Sequence, residues 1–244
     1  MRIENKLMLV LFFLLAACGS GQPDAAQVHA YLIAHPEFVL DNPDVGEAVK
    51  SAAEQRRRQA EETGRRKLLE VNSPLIRSVL TPTFGNPDAT VSIIQFSDYQ
   101  CVPCKKTYVE LDSVKNSRND IEVLYLELPV YGSVSDLAAR AAIAANINDV
   151  FPEYHHLLML NDAGLDVARI REAAIAAGMT DWQVENSFND PEIKNYLAQI
   201  RVFAEELDVN GTPTFLIGNQ LVRGAVTAPQ FNVFIDRNLS AKTR

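Results

Sequence analysis

Two cysteines two residues apart, Cys101 and Cys104 in "DYQCVPCKK", stand at the seam between two kinds of sequence. Ahead of them, residues 90–96 read "TVSIIQF", a β-rich apolar run that predicts a strand. Behind them, Pro103 and two lysines open a segment that reads as a helix to about Ser117, because proline is tolerated in a first turn where an N–H has no partner anyway. A C-x-x-C can be half of a zinc site, a structural crosslink or a redox dithiol. As a crosslink it closes so short a loop that it removes little entropy from the unfolded chain. Chemistry is the better use of such a pair.

The third and last cysteine is Cys18. Residues 7–17, "LMLVLFFLLAA", form an apolar run preceded by Arg2 and Lys6. A bilayer span takes roughly 20 such residues, so the run reads as the core of an export signal covering residues 1–17. It ends in "LAAC", which resembles a bacterial lipobox. That resemblance implies cleavage before Cys18, lipid on Cys18 and attachment to a membrane. Gly19, in place of an aspartate, implies sorting to the outer membrane by the same resemblance. Residues 18–26 are small and polar and read as a flexible tether. With Cys18 acylated, one cysteine pair remains, and an oxidising compartment makes it a disulfide by default. The formal charge of −8, with no basic block longer than Arg56–Arg58, argues against nucleic acid as a partner.

Residues 27–72 read as helical pieces interrupted by Pro36 and Pro43, then a long charged helix with sparse apolar positions. Such a helix cannot bury much surface alone and is a linker or an oligomerisation segment. Residues 73–89, with several prolines and "GNPD", read as loop. Residues 121–128, "IEVLYLEL", predict a central strand. Residues 133–207 contain no convincing strand and read as an inserted helical domain, with Asp181 as an N-cap and Trp182 and Phe188 as packing residues. "TFLI", Gly218-Asn219 and "QLVR" then read as a hairpin. Thr227 and Gln230 suit a capping box for a last helix to about Asn238. The segments 73–132 and 208–244 flank the insertion as two parts of one α/β domain.

The order strand, C-x-x-C, helix, strand, helices, hairpin, helix resembles the thioredoxin pattern. At a helix N-terminus, unpaired N–H groups and the macrodipole favour an anion, so Cys101 should be the thiolate and attacking group. Cys104, one turn on, should be more buried and resolve the mixed disulfide. "GTPTF" at residues 211–215 makes Pro213 a candidate cis-proline and Thr212 a substrate contact.

The matching stretches "AYLIAHPEFVL", "FGNPDATVSIIQFSDYQCVPCKK", "ELPVYGSVSDLAARAAIAA" and "ELDVNGTPTFLIGN" make the chain similar to DsbA-like exported thiol–disulfide oxidoreductases. It resembles most the subgroup of suppressor-of-copper-sensitivity C proteins and their outer-membrane lipoprotein relatives. The resemblance implies an α/β thioredoxin fold with an inserted helical domain, preceded by an N-terminal helical stalk. It implies Cys101 and Cys104 as catalytic, and Thr212, Pro213, Val102 and Pro103 as substrate-binding. It implies exported cysteine-containing proteins as partners, a membrane redox partner, a possible homotrimer through residues 27–72, and a place in the bacterial envelope facing the periplasm. It calls for no cofactor and no metal.

Some positions depart from the pattern. Val102-Pro103 lacks the histidine that stabilises the thiolate in strong oxidants, so the couple should be less oxidising. Gln95 stands where relatives often bury a proton-carrying acid. Asp98 is nearer and reads as a solvated loop residue or cap, and Lys105 and Lys106 as an exposed helix face that could also favour thiolate. His155 and His156 are adjacent and point to different helix faces, so they read as packing or capping groups. Disulfide exchange is the function expected, with isomerase or reductase preferred to oxidase. The rival is a copper-binding envelope protein using the two thiols as soft Cu(I) ligands.

Overall fold

A computed structural model describes residues 24–242. The expected signal peptide and Cys18 lie outside the described residues. The chain divides into two compact units, Met1–Gln59 and Ala60–Arg244.

The described part of the first unit is helical. Asp24 caps α1 (Ala25–Ala34) in a capping box with Gln27. Pro36 is the N-cap of α2 (Glu37–Asp41), and Pro43 opens α3 (Pro43–Val71). Both prolines therefore sit at helix starts, where a missing N–H costs no bond. No residue of α1, α2 or α3 is buried. Tyr31, Ile33 and Leu40 are exposed, Leu40 at 80%.

The second unit begins within α3. There Arg65 donates to the Asn219 carbonyl (2.8 Å), and the Asn219 amide donates to the Glu62 carbonyl (3.0 Å). Residues 73–89 are not all loop: a short helix, α4 (Ser73–Ile76), and a strand, β1 (Thr83–Gly85), lie inside them. All three β1 residues are exposed, which leaves no alternation to read. Gly85 has φ +96°, and a Cβ there would stand 2.5 Å from the Ile121 carbonyl oxygen.

β2 (Val91–Ser97), α5 (Val102–Ser117) and β3 (Ile121–Glu127) form a parallel crossover. β4 (Thr214–Ile217) runs antiparallel to β2, and β5 (Gln220–Arg223) pairs with β4 through the Gly218-Asn219 turn. The sheet order is β1-β3-β2-β4-β5. Both central strands are buried along nearly their whole length, as expected of strands covered on both faces.

Register separates the two faces. Gln95, Tyr125 and Phe215 share one, with Ser97 and Glu127; Ile94, Leu124 and Leu216 share the other. The first face meets α5 and the last helix, α11 (Ala228–Lys242). Phe215 packs edge-on against Phe231 at 5.1 Å, and Lys115 lies 5.7 Å from the Tyr125 ring.

Between β3 and β4 come α6 (Ser133–Ile147), α7 (Phe151–Met159), α8 (Val167–Ala177), α9 (Asp181–Asn189) and α10 (Pro191–Glu206). Phe203 of α10 packs on Phe96, from the second face, at 6.0 Å. Thr180, not Asp181, caps α9, in a capping box with Gln183. Trp182 is 72% exposed and does not pack the helical region, because it falls on the outer side of the first turn of α9. Phe188, on the same helix, is buried.

Candidate active site

Cys101 is the N-cap of α5, with extended backbone, and accepts the Cys104 N–H on Sγ at 3.2 Å. The two cysteines are disulfide-bonded, with Cα atoms 5.2 Å apart. Cys101 is 1% exposed and Cys104 is fully buried, so the pair is enclosed by its surroundings. Val102 and Pro103 between them are exposed, Val102 at 61%. They form the start of α5.

Because β4 runs antiparallel to β2, Thr214 lies opposite Phe96, and the loop entering β4 meets the loop leaving β2. That topology brings residues far apart in sequence together. The Thr212–Pro213 peptide is cis, and the Thr212 carbonyl oxygen lies 3.3 Å from Cys101 Sγ. The Thr212 hydroxyl is buried without a partner. The structure thus assembles Cys101, Cys104, Val102, Pro103, Thr212 and Pro213 at one end of the sheet. Cys18 is not among the described residues.

The loop that delivers Cys101 is tied down by Asp98. This residue is buried, not solvated. Its Oδ1 accepts from the Gln100 N–H and the Ser135 hydroxyl, each at 2.7 Å. Its Oδ2 accepts from the N–H groups of Val130 (2.7 Å) and Tyr131 (3.2 Å). Four donors compensate the desolvated carboxylate and fix the loop after β2 to the loop after β3. Three of the four partners lie more than thirty residues on, which is why reading the local sequence missed the role.

Beneath that loop is a polar layer without enough partners. Both amide atoms of Gln95 and the hydroxyl of Ser97 are buried and unpaired. Glu127, opposite Ser97, accepts the Tyr99 hydroxyl on Oε1 at 3.0 Å, while Oε2 has no partner. Burial pushes the Glu127 carboxyl up to about 8; the Tyr99 hydrogen bond opposes this and the Asp98 charge adds to it. The Tyr99 oxygen also lies 2.9 Å from His155 Nδ1. His155 is packed on Phe151 and Tyr125, each at 4.9 Å, and burial lowers its pKa to about 3. His156 turns away to the Tyr108 hydroxyl at 2.8 Å. The sequence signal for Glu127 was an acid at the end of a strand that, Glu122 apart, is apolar.

Beside the dithiol, α5 and the segment after α7 enclose a cleft of about 490 Å³ lined by Val102, Lys105, Lys106, Val109, Leu160 and Asp162. Lys105 reaches across to the Asn161 carbonyl, and burial lowers its pKa. Among the described residues no group of three or more His, Cys, Asp or Glu side chains is placed to hold a metal.

A family model described as Thioredoxin matches residues 78–237. A thioredoxin-like oxidoreductase from Silicibacter pomeroyi DSS-3 is 29% identical and superposes with TM-score 0.65 over 70% of this chain and 96% of its own. ScsC of Proteus mirabilis, in a transitional conformation, is 24% identical with TM-score 0.63 over 90% of this chain and 98% of its own. Disulfide bond formation protein D of Bacillus subtilis is 18% identical over 66% of this chain and 78% of its own. The Na(+)/H(+) antiporter NhaA 1 of Mycolicibacterium gilvum is 25% identical over 57% of this chain, and the match spans only 24% of the antiporter's length.

Proposed function

This chain belongs to the thioredoxin family, and on that premise we propose that it is a thiol–disulfide oxidoreductase acting on exported cysteine-containing proteins. One observation carries the reading: Cys101 Sγ caps α5, accepts the Cys104 N–H, and lies 3.3 Å from the Thr212 carbonyl. In the reduced enzyme that N–H and the helix dipole favour a Cys101 thiolate. The thiolate attacks a client disulfide. One client sulfur joins Cys101 and the other leaves as thiolate, taking a proton from solvent. Cys104 gives up its proton and attacks Cys101 Sγ, which releases the first client sulfur and closes the Cys101–Cys104 bond. Run backwards, the same steps oxidise a client dithiol. Thr212 and Pro213 hold the client backbone, and Val102 and Pro103 meet it from the other side.

Isomerisation or reduction is favoured over oxidation, since Val102-Pro103 places no histidine beside the thiolate. The protein works in the bacterial envelope, anchored by lipid on Cys18 at the outer membrane and facing the periplasm, with a membrane redox partner restoring its dithiol. Among the described residues no helix is long and apolar enough to cross a membrane. Residues 27–72 assemble the chain, most simply as a homotrimer. The exposed Tyr31, Ile33 and Leu40 support this, being apolar groups on helices that bury nothing.

Refolding of scrambled and of reduced disulfide-containing substrate tests the reading. The wild type should recover activity from scrambled substrate faster than from reduced substrate, and Cys101→Ser should abolish both. Full activity in Cys101→Ser ends the proposal. A monomeric molar mass in solution ends the assembly role of residues 27–72.

A further inference from the structure

Helix α5 carries a second stripe besides the one it buries. Cys104, Thr107, Tyr108, Leu111 and Val114 face the core. Val102, Lys105, Lys106 and Val109 stand three, four and seven residues apart, which puts them together on another side of the helix. Val102 and Val109 are 61% and 56% exposed. The exchange steps above use neither the two lysines nor Val109.

This stripe forms one wall of the cleft of about 490 Å³, and Leu160, Asn161 and Asp162 form the wall opposite. The cleft adjoins the dithiol along the chain itself. Gln100 and Val102, the residues on either side of Cys101, both line it. A client joined to Cys101 and meeting Val102 has its next residues at this cleft.

The polar groups of the cleft are mostly donors in want of acceptors. Lys106 is exposed and has no hydrogen bond or ion pair among the described residues. Lys105 gives one of its three N–H groups to the Asn161 carbonyl. Asn161 Oδ1 accepts the Ala163 N–H at 3.1 Å, while its amide nitrogen is buried without a partner. One carboxylate lines the cleft, Asp162, which is exposed and acts on Lys105. Two ammonium groups against one carboxylate leave a net positive cleft with apolar walls, in a chain whose formal charge is −8. An acidic side chain on a client supplies the missing acceptor. Val102 to Lys106 is one helical turn, about 6 Å along the axis, and an extended chain advances about 3.3 Å per residue, so a client residue roughly two to four positions from the reacting cysteine reaches Lys106.

We propose that this cleft is a specificity subsite for the client segment next to the reacting cysteine, and that it favours a segment with an acidic side chain a few residues from that cysteine, met by Lys106. This deepens the exchange reading above and rests on it. Val102, Val109 and Leu160 cover the apolar part of the segment, and Asn161 Nδ2 adds a second donor.

The test uses the reduced full chain with Cys104→Ser and single-cysteine peptides whose sulfur carries thionitrobenzoate. The Cys101 thiolate attacks the peptide sulfur. A bond from Sγ to that sulfur forms, the old S–S bond breaks, and coloured thionitrobenzoate leaves with the electron pair, being the thiolate of lower pKa. Each peptide has Glu or Gln at one position, two to four residues before or after its cysteine. The ratio of the Glu rate to the Gln rate is measured with Lys106 and again with Lys106→Gln added. Comparing the two ratios cancels the effect of Glu on the peptide sulfur and of Lys106 on Cys101. At one or two positions the ratio should be about threefold to fivefold higher with Lys106 present, the size of a partly exposed charge pair. Equal ratios at every position overturn the proposal. So does a difference of the same size at every position, which is long-range attraction and not pairing in the cleft. No release from any peptide overturns the exchange reading instead. In the trapped mixed disulfide with the favoured Glu peptide, the methyl resonances of Val109 and Leu160 should shift, and unmoved methyls also overturn the proposal.

Discussion

Strand β3 carries two buried glutamates, one near each end, and they keep opposite company. Glu122 and Glu127 are each 1% exposed. Glu122 receives both arms of the Arg77 guanidinium, at 2.9 and 2.7 Å, and the Ser92 hydroxyl at 3.3 Å. Glu127 has one phenol on one oxygen and nothing on the other. Glu122 is at the edge of the fold remote from the dithiol, where a buried charge is held only if it is paired. Glu127 is at the other end of the strand, opposite Ser97, where burial pushes an under-partnered carboxyl up. The difference shows that equal burial leaves two carboxyls in unlike states, one fully paired and one with too few partners.

Removing the partner of the first glutamate should have the largest effect on this contrast. Arg77→Ala leaves the Glu122 carboxylate with Ser92 alone, at a cost of about 1–3 kcal/mol, less than for a fully buried pair because Arg77 is itself half-exposed. Urea unfolding measures it. A loss below about 1 kcal/mol would show that the pair contributes little.

Tyr99→Phe comes next. It removes the donor to Glu127 and the partner of His155 Nδ1, leaving two buried polar atoms unmet at about 1–3 kcal/mol. Because that hydrogen bond holds the carboxyl down, the Glu127 ionisation should move above 8, visible as a shift of the pH window described next.

The third prediction concerns sign. A carboxyl raised to about 8 in the fold and near 4.3 in the unfolded chain means that the native state binds more protons between those values. Stability must then fall as pH rises through that window. His155, lowered to about 3 from an ordinary 6.5, acts oppositely, raising stability with pH up to about 6.5. Between pH 6.5 and 8 Glu127 acts without that opposition. The oxidised wild type should lose about 1–2 kcal/mol there, given ~1.4 kcal/mol per pH unit for one proton. Glu127→Gln should be flat across the same window, and a wild type equally flat would mean that Glu127 is ionised in the fold.

What could be read in the sequence divides along a similar line. The strand, the C-x-x-C and the helix after it are contiguous, so their pattern is local and legible. The strand β1 was not, since three exposed residues show no periodicity. Asp98 was misread because its donors, at Val130, Tyr131 and Ser135, arrive only when β3 pairs with β2. Glu122 and Glu127 look alike in "IEVLYLEL"; only the fold decides that Arg77 meets one and Tyr99 the other. Trp182 shows the converse, a large aromatic taken for core that helix phase turns outward.

The smallest effect should be the only gain. Ser97 lies opposite Glu127 in the register, and its hydroxyl is buried without a partner. An unpaired hydroxyl in an apolar setting is a net cost, so Ser97→Ala removes a desolvated group and leaves a gap of one oxygen. The two terms nearly cancel, and a stabilisation of about 0.5 kcal/mol is expected in urea unfolding of the oxidised protein. The variant also takes a hydroxyl dipole from beside the carboxyl, so the window between pH 6.5 and 8 should persist in it. A clear loss of stability would mean that the hydroxyl is paired in solution, most simply with the free Oε2 of Glu127, and that the polar layer under the dithiol is better satisfied than its geometry indicates.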